Sequence, residues 1–463
     1  MLSSRSTSSS RPSRRSLLGG LGVAALGGAA LTGCAAGTSG GDGADSGASD
    51  VGGGGEDIRS FGDGSTTFTI LSIVASLPED ELKQFAADND CKVVVEEYAF
   101  DKLTAMLAAG TPPDLVRGLG GVDTPYLAVK QLAEPLTSYM ASSKVLNENR
   151  LDPVNDLWRH DGTTQGVGEL YGVAKDYSYD MDLWVNAELV GEAPDLTTPW
   201  TYDKVLELSR NAYKESGGRV EAFGYGNYLA LPDVQFLDAM IATADGQLWN
   251  EDFSTVDFTS DAAVSAVDFV RTLWSENLSP SPVRPSSEDL YKMFEASRLG
   301  TFQSGFWTQA MFTELEEADM EKMHMIPPPV LGDTQISPVL SATGYWIPRK
   351  APNKELSFKF MEFHLAGASA TARAASGWGI PIITDDQAEM PSETLLNQRV
   401  LECTEVDKTL FEVRSFTPYA KVDALNLELS TAFEKGVKGG SDAKTIAADA
   451  TERLNAQLER GKR

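Results

Sequence analysis

The chain is poor in histidine, and the common catalytic motifs are missing as well. Its three histidines, His160, His324 and His364, form no H-E-x-x-H motif and no pair at metal-ligand spacing, which excludes a zinc hydrolase of that type. Ser304 lacks the first glycine of a nucleophile elbow. The stretch 224–226 lacks the third glycine of a dinucleotide fingerprint, and no P-loop occurs. The sequence therefore predicts a protein that is not an enzyme and that uses no cofactor and no metal.

Basic residues are also scarce relative to acidic ones. The chain has 39 Lys and Arg against 67 Asp and Glu, a formal net charge of −28. Binding of nucleic acid requires a basic face, and adhesion to anionic lipid requires basic clusters. We therefore expect no nucleic-acid partner and no membrane attachment through surface charge.

No apolar run is long enough for a transmembrane helix. The run from Leu17 to Leu31 holds 15 residues, five of them glycine, whereas a span needs about 20 apolar residues. Arg14-Arg15 precede this run, and 31–34 (LTGC) resembles the bacterial lipobox, whose cysteine is acylated. The pattern predicts that residues 1–33 are a twin-arginine export signal and that Cys34 is the lipid attachment site, at the extracytoplasmic face of the cell membrane.

The segment after Cys34 has hardly any large apolar side chain. Residues 35–57 are mostly Gly, Ser, Ala and Asp, a composition that cannot bury enough surface to fold. We predict a flexible tether over 34–65, on which a globular body moves above the membrane. Loss of the four arginines of the signal takes the net charge from −28 to about −32.

Only two cysteines remain once Cys34 is assigned to lipid. Cys91 and Cys403 lie 312 positions apart. An extracytoplasmic site permits a disulfide, but the spacing carries no information on proximity. A bridge and two buried thiols are both compatible with the sequence.

The body of the chain opens with an alternation of strands and helices. The elements come in the order strand, helix, strand, helix, strand, at 67–75, around Leu82, at 92–97, around Leu103 and at 115–116. This pattern predicts a doubly wound α/β unit, whose ligand crevice lies beyond the carboxyl ends of the strands. Ser76 and the stretch 117–121 occupy those ends.

Later helices are indicated by their caps. Thr201, Ser260 and Asn353 each precede an amphipathic run. Glycines at 217–218 and at 367 predict where the first and the third of these helices end. The proline-rich stretch 326–338 interrupts regular structure and suits a crossing between domains.

Aromatic side chains next to Gly or Asp recur in predicted loops. The four clusters are Asp176-Tyr177, Gly305-Phe306-Trp307, Gly344-Tyr345-Trp346 and Gly377-Trp378-Gly379. Such rings present an apolar face beside polar groups, which matches the faces and hydroxyl edges of a sugar. Core packing is the alternative interpretation for each ring.

Ordered matches along the chain resemble the family 1 extracellular solute-binding proteins, the carbohydrate-binding lipoproteins of ABC importers. The matching stretches are 109–115 (AGTPPDL), 171–174 (YGVA), 184–189 (WVNAEL), 245–248 (DGQL) and 294–307 (FEASRLGTFQSGFW). The resemblance runs from about Thr67 to the end of the chain.

The resemblance implies an α/β fold of a two-lobed, periplasmic-binding-protein-like clamshell of type II, in which each lobe is a mixed sheet flanked by helices. It assigns 66–176 and 333–377 to lobe 1, and 177–332 and 378–463 to lobe 2. It also implies a monomer that captures a mono- or oligosaccharide and delivers it to the permease subunits of an ABC transporter.

The resemblance further implies the residues that contact a sugar. Trp307 matches the stacking tryptophan of the family, and the remaining candidates are Asp176, Tyr177, Phe236, Tyr345, Trp346 and Trp378. One departure is Gly118, which stands about where a maltodextrin-binding member of the family has a stacking tryptophan. A mono- or disaccharide is therefore easier to fit than a long maltodextrin.

Three other functions remain open from the sequence. The same fold could bind a polyol, a glycerol phosphodiester or a compatible solute, which a smaller or more cationic cleft would favour. A surface glycoside hydrolase would need two carboxylates about 5 to 10 Å apart across the cleft. A purely structural surface protein would not require the aromatic loops.

Overall fold

The computed structural model describes residues 58–312 and 315–462. Cys34, the predicted signal and most of the predicted tether lie outside the described residues. Of the helices that are described, none combines the length and the apolar character needed to cross a membrane.

The described residues form two sheets, three short strand pairs and the helices around them. The strands are β1 (Ile58–Phe61), β2 (Thr66–Ser72), β3 (Cys91–Glu97), β4 (Leu115–Leu119), β5 (Arg159–His160), β6 (Glu169–Leu170), β7 (Val173–Ala174), β8 (Asp176–Tyr177), β9 (Leu183–Asn186), β10 (Lys214–Ser216), β11 (Arg219–Asn227), β12 (Leu299–Gln303), β13 (Met323–Ile326), β14 (Ser337–Pro338), β15 (Thr343–Trp346), β16 (Ile380–Pro381) and β17 (Phe411–Glu412). The α-helices are α1 (Glu79–Asp88), α2 (Phe100–Ala109), α3 (Gly120–Val129), α4 (Thr137–Ser142), α5 (Ala187–Val190), α6 (Tyr202–Ala212), α7 (Val234–Ala242), α8 (Asp261–Ser275), α9 (Leu290–Glu295), α10 (Thr308–Met311), α11 (Glu317–Met320), α12 (Lys354–Leu365), α13 (Ala368–Ala375), α14 (Leu395–Leu410), α15 (Val422–Lys438) and α16 (Ala443–Gly461).

The six-stranded sheet defines lobe 1 and has the strand order β1-β3-β2-β4-β15-β7. β2 runs parallel to β3 and β4, while β1, β15 and β7 add antiparallel edges. The predicted alternation of strands and helices is confirmed by the order β2, α1, β3, α2, β4. β2 is buried at Phe68, Ile70 and Leu71, as expected of a strand covered on both faces. The first strand ends earlier than predicted, because residues from Val74 to Ser76 form a 3₁₀ turn whose Val74 N–H donates to Glu97 Oε2 at 2.8 Å.

The five-stranded sheet defines lobe 2 and has the order β10-β11-β12-β9-β13. β11 and β12 are parallel, and β9 is antiparallel to both of its neighbours. Both lobes are thus mixed sheets flanked by helices, as predicted.

The predicted helix caps are partly correct. Thr201 accepts a hydrogen bond from Lys204 N at 3.1 Å and begins α6, and Ser260 caps α8 in the same way. The predicted end of α6 at 217–218 is wrong: the helix ends at Ala212, and the two glycines form the tight turn of a β-hairpin with φ values of 59° and 80°.

Asn353 precedes α12 as predicted but does not cap it. Its side-chain amide instead donates to Asp114 Oδ1 and to the Thr67 carbonyl, both at 3.1 Å. The helix ends at Leu365, just before Gly367 with its φ of 74°.

Short strand pairs lie where the chain passes between the two sheets. β8 pairs with β16 in antiparallel fashion, and β14 pairs with β17 in parallel. The proline-rich stretch connects β13 of lobe 2 to β15 of lobe 1. The exact lobe boundaries near 176, 332 and 377 stay predictions.

The two remaining cysteines are free. Cys91 lies in β3 and Cys403 in α14, and both are buried. Of the two interpretations, the structure therefore agrees with buried thiols rather than with a bridge.

Candidate ligand-binding site

A cavity lies between the two lobes, beyond the carboxyl ends of the lobe 1 strands. Its volume is about 50 Å³, which is room for a few water molecules. The lining residues come from both lobes and from the crossings: Ile73, Ser76, Arg117, Lys175, Asp176, Tyr177, Ser178, Asp180, Tyr291, Trp307, Met311, Ser341, Thr343, Tyr345, Trp378 and Gly379.

Lobe 1 supplies a polar wall. Ser76 follows the first parallel strand and Arg117 lies in β4, so two of the positions predicted from strand ends reach the cavity. Tyr345 comes from the antiparallel strand β15, and its hydroxyl lies 3.4 Å from Ser72 Oγ. Burial raises the pKa of Tyr345, so its hydroxyl stays protonated and available for hydrogen bonds.

Charged side chains of both signs meet at the base of this wall. Lys175 Nζ lies 3.2 Å from Asp176 Oδ2, and both side chains are largely buried. Burial lowers the pKa of Lys175, and the nearby Arg373 and Arg117 lower it further, while Asp176 opposes them. Arg373 sits behind this pair and donates to the His364 carbonyl at 2.7 Å. The wall therefore offers both donors and acceptors to a ligand.

Asp180 is a site residue that the sequence reasoning missed. Its Oδ2 accepts hydrogen bonds from Leu340 N at 2.6 Å and Ser341 N at 2.8 Å. Its Oδ1 is buried and has no hydrogen-bond partner among the described residues. Burial raises the pKa of Asp180 from 3.8 to about 7. This oxygen can accept a hydrogen bond from a ligand hydroxyl, and the acidic run 176–182 was the signal that could have revealed it.

Lobe 2 supplies aromatic rings. Trp307 lies at the start of α10 and donates from Nε1 to the Tyr291 hydroxyl at 2.8 Å. Tyr228 packs edge-on against the indole, with ring centroids 4.9 Å apart. Gly305 is required here, because a Cβ would lie 2.2 Å from Ser178 Oγ and 2.4 Å from Trp307 Cζ3.

Trp378 and Tyr177 come from the paired crossings. Trp378 is half-buried and lies between Gly377, whose φ is 70°, and Gly379, which lets the Asp176 side chain approach. The Tyr177 hydroxyl donates to Asp152 Oδ2 at 3.1 Å, so its polar end is already engaged within lobe 1. Five of the seven candidate contact residues therefore line one cavity: Asp176, Tyr177, Trp307, Tyr345 and Trp378.

The other two candidates lie elsewhere. Phe236 is fully buried on α7, where it packs edge-on against Tyr202 in the core of lobe 2. Trp346 is 1% exposed and packs its Cδ1 against Gly118. Neither residue lines the cavity. Trp346 follows Tyr345 in β15, and successive side chains of a strand point to opposite faces of the sheet. Phe236 lies near the start of α7, which is enclosed by lobe 2.

A second acidic cluster lies next to the crossings but outside the cavity. Asp182, Cys403 and Asp407 place their ligand atoms within 4.8 Å of one another, and they are the described residues that could hold a metal ion. Ser337 donates to Asp407 Oδ1 at 2.8 Å, whereas both oxygens of Asp182 lack a hydrogen-bond partner. Burial raises the pKa of Asp182 well above its usual value and that of Asp407 to about 7, so the two carboxyl groups hold protons to a higher pH than exposed ones do.

Solved structures share this two-lobed fold. An ABC substrate-binding protein from Listeria monocytogenes in complex with cycloalternan is 19% identical, with a TM-score of 0.69, over 85% of this chain and 98% of that one. A solute-binding protein from Thermotoga lettingae bound with α-D-tagatose is 21% identical, with a TM-score of 0.68, over 85% and 100%. The sugar-binding protein MalE from Xanthomonas citri is 18% identical, with a TM-score of 0.61, over 86% and 98%.

These structures are at most 21% identical to the chain and therefore show the fold alone. The family is established by a sequence match instead. No curated protein sequence matches the chain. Residues 82–395, well over half of the 463 residues, match the family model of the bacterial extracellular solute-binding proteins. The chain belongs to this family of bacterial extracellular solute-binding proteins.

Proposed function

We propose that the protein is an exported, lipid-anchored, sugar-binding protein that captures a mono- or oligosaccharide between its lobes and delivers it to an ABC importer permease. One observation carries this proposal: the cavity combines the rings of Trp307 and Trp378 with the unpartnered acceptor of Asp180. The structures of the Listeria and Thermotoga proteins, which hold cycloalternan and α-D-tagatose, support the same ligand class.

The two kinds of side chain have separate roles. The aromatic rings offer apolar faces on which the C–H groups of a sugar pack, which supplies affinity without fixing direction. The buried polar groups supply specificity, because a ligand that lacks the matching hydroxyl leaves one of them unpaired. The site consists of the five lining candidates and Asp180, without Phe236 and Trp346.

Access to the cavity requires the lobes to separate. A volume of about 50 Å³ holds a few water molecules and no sugar ring. Rotation of one lobe against the other at the strand pairs β8–β16 and β14–β17 would admit the ligand, and reclosure would bury it. The permease would then recognise the closed, loaded form.

Membrane attachment completes the proposal. Acylation of Cys34, after export by the twin-arginine route and removal of residues 1–33, holds the protein at the outer face of the cell membrane. The segment 34–65 lets the lobes reach the permease, and the protein acts as a monomer.

A second candidate keeps the fold and changes the ligand. Arg117 and Lys175 both line the cavity, with Arg373 behind them. Such a group of cations suits an anionic solute such as a glycerol phosphodiester.

Thermal melting of the purified protein against a panel of sugars, polyols and phosphodiesters tests both candidates. A ligand at about one hundred times its Kd adds roughly 2.7 kcal/mol of stability, a shift of several degrees. A shift with one saccharide, lost in Trp307→Ala, supports the sugar-binding function. A shift with phosphodiesters alone supports the second candidate, and no shift with any compound contradicts both. Turnover of a chromogenic glycoside by the wild-type protein would reveal a glycoside hydrolase.

A further inference from the structure

Three buried side chains converge near the crossings between the lobes. Asp182 directly precedes β9, and Cys403 and Asp407 lie on α14. All three residues are 0% exposed, and one ligand atom from each lies within 4.8 Å of the other two. Cys403 and Asp407 share a face of the helix because they are four positions apart. The fold therefore brings a thiol and two carboxyl groups together outside the ligand cavity.

Asp182 lacks polar partners in this group. Both of its side-chain oxygens are buried and have no hydrogen-bond partner among the described residues. The charged groups close to it are two further carboxyl groups, Asp407 and Asp180. A buried carboxylate is costly unless a donor, a proton or a cation neutralises it. The two oxygens of Asp182 therefore point to a partner that the protein chain does not supply.

Asp407 and Cys403 are positioned by their surroundings. Ser337 of β14 donates to Asp407 Oδ1 at 2.8 Å. The Cys403 thiol donates to the other oxygen, Oδ2, with a sulfur–oxygen distance of 3.5 Å. One oxygen of Asp407 is thus fixed from outside the group while the other faces it, which is the usual arrangement of a carboxylate metal ligand.

The dimensions of the group suit a zinc ion after a small contraction. An ion at the centre of three atoms that lie within 4.8 Å of one another is at most about 2.8 Å from each atom. Zinc bonds to oxygen and sulfur of about 2.0 to 2.3 Å therefore need inward shifts of less than about 1 Å. The two oxygens of Asp182, Oδ2 of Asp407 and Sγ of Cys403 supply four ligand atoms.

The donor set favours zinc over calcium and magnesium. Those two ions take oxygen ligands, whereas zinc accepts thiolate and carboxylate together. Two carboxylates and a thiolate carry three negative charges, and a divalent ion offsets two of them. In the metal-free protein, protons on these groups neutralise the charge instead, and zinc would release them to solvent on binding.

We propose that Asp182, Cys403 and Asp407 bind a zinc ion that fastens the first crossing to α14. Asp182 follows the crossing strand β8, and α14 leads into β17, which pairs with β14 of the return crossing. The ion stabilises the region where the chain passes between the two sheets, whatever solute the cavity binds. The prediction of no metal was based on histidine motifs, whereas this group contains no histidine and joins residues 221 positions apart, Asp182 and Cys403.

Zinc titration of the full-length protein, dialysed against EDTA and kept reduced, tests the site. Cys403→Ala removes the thiolate, and Asp182→Asn removes one carboxylate while keeping the size of the side chain. Cys91→Ala is the matched control, because Cys91 is also a buried free thiol but lies in β3 of lobe 1. Circular dichroism of the metal-free proteins checks that each variant is folded, and Co²⁺ replaces zinc as a spectroscopic probe.

We expect the wild type and Cys91→Ala to bind one zinc ion per chain and to show thiolate-to-metal charge-transfer absorption with Co²⁺. Their melting temperatures should rise by several degrees with saturating zinc and not with Mg²⁺. Cys403→Ala should lose the absorption, and both Cys403→Ala and Asp182→Asn should bind zinc at least tenfold more weakly.

Two results overturn the inference. The first is the absence of zinc binding by the wild type, or zinc affinity that is unchanged in Asp182→Asn and Cys403→Ala. The second is charge-transfer absorption that survives in Cys403→Ala, because the ion would then be bound by another thiol. If Cys403→Ala does not fold, the zinc affinity of Asp182→Asn decides, since that variant removes a buried charge without leaving a cavity.

Discussion

The indole of Trp307 is fixed to Tyr291 by a hydrogen bond of 2.8 Å from Nε1 to the phenolic oxygen. Tyr291 in turn packs edge-on against Phe302 of β12, with ring centroids 5.0 Å apart. The orientation of the indole is therefore set by the lobe 2 sheet before any ligand arrives. A ring that is already ordered loses little conformational entropy on binding.

Replacement of this ring tests its contribution to affinity. Trp307→Ala should weaken saccharide binding by tenfold or more, about 1.4 kcal/mol, because the stacking surface is lost. Tyr291→Phe keeps the ring but frees the indole, and should weaken binding by a smaller factor. Calorimetry on both variants measures the effects, and near-normal affinity in Trp307→Ala would refute the stacking role.

Asp180→Asn tests the role of Asp180 as an acceptor. Asparagine can keep the bonds from Leu340 N and Ser341 N through its carbonyl oxygen, but it turns the second oxygen into a donor. We expect a loss of affinity of about tenfold, since hydrogen bonds to charged groups contribute about 1.5–3 kcal/mol.

The same residue predicts how affinity depends on pH. Because the pKa of Asp180 is about 7 without ligand, the carboxylate form becomes dominant only above that value. A ligand hydroxyl that donates to the carboxylate should bind more tightly as pH rises from about 6 to about 8. Calorimetry across this range should show the rise in the wild type and a flat profile in Asp180→Asn; equal slopes would contradict the assignment.

The pair Asp182 and Asp407 predicts how stability depends on pH. The pKa of Asp407 is raised from 3.8 to about 7, so the folded protein keeps a proton that the unfolded chain releases above about pH 4. Stability contributed by this proton is complete below pH 4 and is lost as pH rises through about 7. Asp182→Asn removes one buried charge and should raise the melting temperature more at pH 8 than at pH 5. An equal change at both pH values in metal-free buffer would contradict the raised pKa values of this pair.

Gly118→Ala tests the close packing against β4. The added Cβ would lie 2.9–3.0 Å from Trp346, Asp123 and Trp158, two of which are large buried rings. Overpacking of this kind costs roughly 1–3 kcal/mol. Gly439→Ala is the control, because its nearest contact would be 3.1 Å, at the exposed end of α15. Chemical denaturation measures the free energy of unfolding of both variants, and we expect the larger loss in Gly118→Ala. Equal losses in the two variants would show that the rings around Gly118 move aside.

Local sequence patterns were sufficient for most of the fold. The β-branched runs of β2 and β3 and the caps at Thr201 and Ser260 act over a few residues, and the structure confirms them. The helix end at 217–218 was wrong because two glycines also make a hairpin turn, and the choice depends on pairing between β10 and β11.

The candidate site was predicted less completely, because it is assembled from distant residues. Trp307 and Trp378 were predicted from aromatic residues in loops and line the cavity, whereas Phe236 is also aromatic but lies in the core. The acidic run 176–182 marks Asp180, but no local pattern shows that one of its oxygens is unpaired, because its partners Leu340 N and Ser341 N lie 160 and 161 positions away. Such contacts depend on how the lobes close, which no local pattern encodes.

Asp180 also links ligand choice to lobe motion in any redesign of this protein. One of its oxygens binds the crossing at 340–341, and the other is available to the cavity. On the proposed function, we expect a substitution of Asp180 to change ligand choice and the opening equilibrium together, so the two properties could not be optimised separately at this position. A biosensor built on this scaffold would therefore tune its affinity through Trp307 and Trp378 and leave Asp180 untouched to keep the opening equilibrium.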